Sequence, residues 1–196
     1  MSGTITLPPT GLLHVGVGVA DFAPPFRPSA PAVITGRFGR PPARQDNERI
    51  RVDITRQPLR TALDWQAETV RIWREHPECG PGFKGAMERA GLHKRSLVLF
   101  SMDGGPLRFA YIGEPQRRFF GNTHADSMIG KPQVDAGYDG WAQALEAQYL
   151  EAMQGGEPVH NHVAMHGLQS TPVVYTHTLI GWECGGRRVV VAMVAY

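Results

Sequence analysis

Cysteine is scarce in this sequence, and long hydrophobic runs are missing altogether. The two cysteines, Cys79 and Cys184, share no metal-ligand spacing and offer no disulfide framework, so both are read as free thiols of a cytoplasmic chain. Every apolar run falls short of the roughly 20 residues that a membrane-spanning helix requires, and no membrane association is expected. The N-terminal stretch MSGTITLPPTGLLHVGVGVADF has no basic leader, and glycines and His14 interrupt its apolar patch, unlike a secretory signal. Catalytic signatures are absent as well: no glycine-rich phosphate loop, no G-x-S-x-G elbow and no H-E-x-x-H pair. GVGVAD at 16–21 is a poor dinucleotide fingerprint, because no helical pattern follows it and a proline comes three residues later. A non-catalytic role is the expectation, with no cofactor assigned.

Strong charge of one sign is also lacking. The 196 residues carry 20 Lys and Arg against 18 Asp and Glu, a net charge of +2. The small excess is uneven: residues 1–60 hold eight arginines against four acids, whereas residues 96–196 hold six basic against nine acidic side chains. A nucleic-acid binder concentrates basic side chains on its folded part; here the half that looks folded is mildly acidic, so nucleic acid is not expected as a partner.

What is present divides into three zones. Residues 1–57 form a Pro/Gly/Arg-rich arm with nine of the sixteen prolines in the first 60 residues. The proline pairs prevent a long helix. Two alternating pieces, around Leu12–Val19 and Arg49–Ile54, are candidates to pair as strands. The arm is either partly flexible or docks on a partner or on its own domain. Residues 58–95 form a helical extension expected to pack on the domain. Leu59, Leu63, Ala67, Val70 and Trp73 follow a period near 3.6, between Pro58 and Pro77. Trp65 and Ile72 lie off that stripe, so this helix either lies between two layers or carries a dimer contact, with Leu63, Val70 and Trp73 as the partner-facing candidates. A second short helix is expected from about Lys84 to Leu92.

Residues 96–196 read as an α+β domain with an antiparallel sheet. SLVLFSM and PLRFAYI flank the hairpin turn Asp103-Gly104-Gly105. The helix DGWAQALEAQYLEAMQ follows, with Trp141, Leu145, Tyr149 and Met153 on one stripe. Three strands close the chain: EPVHNHVAM, TPVVYTHTLIGWE and RRVVVAMVAY. VVVAMVA is apolar on both faces, which predicts a central strand covered on both sides, whereas VHNHVAM alternates as a strand nearer an edge does.

This order of elements, with FAYIGEPQRRFFG running into SMIGKP, resembles the PAS domain family over residues 96–196. The resemblance implies a five-stranded antiparallel sheet with helices on one face, its last strand at the centre, preceded here by the N-terminal helix. It implies a sensor or adaptor that binds a small molecule, a protein partner in trans, or a second copy of itself as a homodimer. The chain ends at Tyr196, in or just after the last strand, so any output is expected to pass to another protein. The resemblance implies a ligand pocket lined by Phe119, Phe120, Trp141, Leu145, Met153, Tyr175 and His177, with Arg117 and Arg118 facing outward or lining the pocket mouth. Both phenylalanines are equally open to reading as ordinary core. The Asn-Cys-Arg stretch of photosensory flavin relatives is missing, and residues 138–155 contain no histidine for haem.

The histidines supply an alternative. His160, His162, His166 and His177 on the C-terminal strands are candidates for a transition-metal or haem site. Val159, Val163 and Met165 mark the other face of their strand as the buried one, which favours histidines that are solvated or covered by the N-terminal helix.

Overall fold

In the computed structural model, which describes residues 51–136, 139–154, 156–167 and 171–196, a single antiparallel sheet carries five α-helices. Along the chain run β1 (Arg51–Arg56), α1 (Asp64–Glu75), α2 (Pro81–Arg89), β2 (Ser96–Met102), β3 (Arg108–Ile112), α3 (Glu114–Phe120), α4 (Asn122–Met128), α5 (Asp139–Gln154), β4 (Val159–His166), β5 (Val173–Cys184) and β6 (Arg187–Ala195). The strand order is β1-β4-β5-β6-β2-β3, every neighbouring pair antiparallel. The last strand is interior, between β5 and β2, and Val190 to Met193 are at most 1% exposed.

The sheet has six strands rather than the five expected. The sixth is β1, from the end of the segment read as an arm; it pairs with β4, Ile54 opposite Val163. β4 is therefore not an edge strand, although it alternates. Its second face is only partly covered near His162, Ala164 and His166, which are half-buried. The strand proposed around Leu12–Val19 and the rest of the arm to residue 50 lie outside the described residues.

Helices cover both faces. On one, which we call the inner face, α4 and α5 enclose Leu97, Leu99, Val163, Leu179, Val190 and Ala192. On the outer face α1 and α2 pack Val70, Ile72, Phe83 and Met87 against Val98, Ile180, Val191 and Met193. Burying a side chain of this size fully stabilises by about 1.5–3 kcal/mol.

Local chemistry explains the boundaries. α1 starts where the buried Gln66 side-chain oxygen accepts the Leu63 N–H at 3.1 Å, while the same amide donates to the Met193 carbonyl at 2.8 Å. One side chain thus caps the helix and ties it to the sheet. α2 begins with Pro81 at its first turn, where a missing N–H costs nothing. It ends in a Schellman turn: Gly91 has φ 69°, its N–H reaches Glu88 O, and Leu92 N–H reaches Met87 O at 2.8 Å. The β2–β3 hairpin turns on Asp103 (φ 49°) and Gly104 (φ 75°), the positive pair that a tight hairpin favours. No described helix is long and apolar enough to cross a membrane.

Candidate ligand cavity

Between the inner face and helices α3, α4 and α5 lies a cavity of about 30 Å³, room for about two water molecules. The sheet contributes Leu97, Phe109, Ile112, Tyr175, His177 and Val194; the helices contribute Gln116, Phe120, Met128, Leu145 and Tyr149. His124 and Tyr196, both exposed, stand at its mouth. No Asp, Glu, Lys or Arg side chain is among the described lining residues. The space is apolar and aromatic, with a few neutral polar groups.

The strand-to-helix switch of RRFF builds one wall. α3 and α4 are each seven residues long and share Gly121, whose φ of 84° favours glycine at that corner. Arg117 fastens the pair to the sheet: its Nε donates to Ile112 O at 2.7 Å, and its guanidinium reaches Asp126 on α4 at 2.6 Å. Gln116 and Phe120, one turn apart, both face the cavity. Phe119 does not line the cavity; it packs at the margin of the inner-face core, edge-on to Phe120, and stacks on Tyr196, ring centroids 5.3 Å apart and nearly parallel.

A polar chain fixes His177. Arg56 on β1 can only donate, and it reaches Gln148 Oε1 at 3.4 Å and Glu151 at 2.6 Å. Asn161 Nδ2 donates to the same Gln148 oxygen at 2.9 Å and also lies 2.9 Å from His177 Nε2. Nε2 therefore accepts, and the imidazole proton sits on Nδ1. Burial, with smaller contributions from His160 and Arg56, lowers the His177 pKa to about 3, so the ring is neutral. Burial likewise keeps the Tyr149 hydroxyl protonated far above the ordinary phenol range, and neighbouring Tyr196 adds to the effect.

Of the expected pocket residues, Phe120, Leu145, Tyr175 and His177 line the cavity. Two do not. Met153 is core beside Gly181, and Phe119 belongs to a separate surface groove. The Trp141 side chain lies outside the described residues. Gln116, Tyr149, His124 and Tyr196 were not anticipated as pocket residues; the one available signal was the four-residue spacing of Gln116 and Phe120 on a short helix.

The histidines do not form one group. Cross-strand register pairs His160 with Thr178 and Asn161 with His177, so His177 projects from the opposite face to His160, His162 and His166. His160 is buried with Nδ1 2.9 Å from Thr178 Oγ1, and burial lowers its pKa. His166 reaches the carboxylate of Asp53 at 3.0 Å. Among the described residues no three His, Cys, Asp or Glu side chains converge as a metal site would require. The partner-helix candidates also divide: Val70 is 2% exposed and packed on the sheet, Trp73 is half-buried against Trp182, and Leu63 is 49% exposed.

The groove, about 540 Å³, runs over Leu63, Trp65, Arg95, Arg118, Phe119 and Tyr196, with Arg95 stacked 5.2 Å above the Trp65 ring. Val194 and Tyr196 line both spaces. Tyr196 lies between Phe119 on the groove side and Tyr175, at 5.5 Å, on the cavity side.

Comparison with protein-family models, curated proteins and solved structures finds no match to this chain.

Proposed function

We propose that this protein is a PAS-like, non-catalytic sensor or adaptor: a small molecule in the inner cavity changes the groove that a protein partner reads in trans. The observation that carries the reading is Tyr196, one side chain forming a wall of both spaces. A ligand that pushes on Tyr196 must also displace Phe119, which stacks on it. The sheet order, with the last strand interior and a strand-to-helix switch after β3, supports the family resemblance. A cavity free of charged lining suits a neutral, mostly apolar ligand.

Xenon tests this, because it fills small apolar spaces without needing hydrogen bonds. Under xenon pressure, NMR signals of the Leu145, Met128 and Val194 methyl groups should shift, together with the Trp65 indole in the groove. In Tyr196→Ala the cavity signals should still move while Trp65 stays still. Xenon shifts that leave Trp65 unmoved in the wild type would remove the coupling, and no shift at the cavity would remove the ligand site.

A further inference from the structure

We infer that the cavity selects a neutral ligand with a carboxamide or lactam edge, read by the side-chain amide of Gln116. The inference rests on the ligand-site reading above and names the chemistry of its occupant. Three glutamines are almost fully buried: Gln66, Gln116 and Gln133. Gln66 uses both ends of its amide, and Gln133 donates to Ala142 O at 3.3 Å. Gln116 is 2% exposed, and neither its oxygen nor its nitrogen has a hydrogen-bond partner. The other unpartnered buried atoms come one to a residue: the Trp73 and Trp182 indole nitrogens and Asn161 Oδ1. Gln116 is the described residue that both lines the cavity and leaves a donor and an acceptor unused.

Burying an amide without partners is unfavourable, and native structures rarely tolerate it without a reason. A primary amide presents one acceptor and two donors in one plane. Its complement is a molecule with a neighbouring acceptor and donor, which is the edge of an amide or a lactam. A carboxylate satisfies only the donor side, and it would enter a space with no cationic lining residue at a large desolvation cost. The aromatic lining accepts a flat apolar body. The present volume takes about two water molecules, so a ligand of this class must displace Phe120 and His124 on the short helices joined at Gly121.

Acetamide, acetone and acetate have the same number of heavy atoms and differ in what they offer Gln116, and 2-pyridone adds a ring to the lactam edge. Each is titrated into the full chain while the Gln116 side-chain NH2 resonances are followed. Acetamide and 2-pyridone should shift them saturably; acetone, which offers an acceptor alone, should bind more weakly, and acetate should not bind. Gln116→Met should weaken acetamide and 2-pyridone binding about tenfold or more, as expected when a site loses its hydrogen-bonding partner. Equal binding of acetone and acetamide, or binding unchanged in Gln116→Met, would overturn the amide inference and leave the ligand site standing. If neither these probes nor xenon perturb the cavity, both readings fall. Binding of 2-pyridone that shifts other surfaces but not the Gln116 amide also overturns the inference, without recourse to a variant.

Discussion

Gly181 is where α5 crosses the sheet, and replacing it with alanine should be among the most damaging single-methyl changes in the protein. A Cβ at this position would lie 2.8 Å from Ala152 O and from the backbone N and Cα of Met153. Comfortable carbon contacts are about 3.5–4.0 Å. The obstruction is helix backbone, which cannot rotate aside as a side chain can, so α5 must lift by roughly 1 Å or β5 must bend. Such overpacking costs about 1–3 kcal/mol. The upper end applies here, because α5 buries Leu145, Tyr149, Ala152 and Met153 against the sheet. About 3 kcal/mol corresponds to a fall of roughly 6–12 °C in Tm for a chain of this size. Thermal and urea unfolding followed by circular dichroism would measure it. Gly82→Ala, at an exposed position in the first turn of α2 where the added Cβ would meet only the His76 side chain at 3.3 Å, is the control and should change stability by no more than about 0.5 kcal/mol. A loss below about 0.5 kcal/mol for Gly181→Ala would refute the close helix–sheet contact.

His177, with a folded pKa of about 3 against an ordinary 6.5, binds fewer protons folded than unfolded between those values. Its contribution is fully present above pH 6.5 and is lost as pH falls toward 3, by about 1.4 kcal/mol per unit; His160, shifted the same way, adds to the slope. Unfolding midpoints from pH 7 to 4 should fall accordingly, and an NMR titration showing His177 protonated near pH 6 would contradict the burial argument. A thiol reagent should modify the exposed Cys184 quickly, and the half-buried Cys79, whose pKa burial raises to about 12, much more slowly; equal rates would contradict that placement. Leu179→Ala, at a fully buried inner-face position, should cost about 2–5 kcal/mol, while Leu63→Ala should stay within about 0.5 kcal/mol; urea unfolding distinguishes the two.

Much of the sheet was legible because period and punctuation agreed. SLVLFSM became β2 and DGWAQALEAQYLEAMQ became α5 at the boundaries read from sequence, and Val190 to Met193 are as buried as their two-faced apolar run implied. β1 was harder to place. RVDITR alternates, but its partner β4 is more than 100 residues away along the chain, and alternation carries no information about distant pairing. The histidines show the same limit, since neighbouring strands share a face only in one register and here it sets Asn161, not His160, beside His177. The spacing of Gln116 and Phe120 can place both on one helix face, but nothing in the sequence marks the Gln116 amide as buried and unpartnered. Its importance lies in partners it does not have, and only the packed structure reveals that.

The most direct test is the stability of ligand-free Gln116→Met beside the wild type. Gln116 faces an apolar cavity with both polar atoms unused, so a side chain of similar size without them should stabilise the ligand-free protein by about 1–3 kcal/mol. A gain of that size in urea unfolding would mark Gln116 as kept at the expense of stability, as binding residues often are. A loss, or no change, would mean that the amide is satisfied within the fold, and the cavity would lose the group on which its proposed chemistry depends.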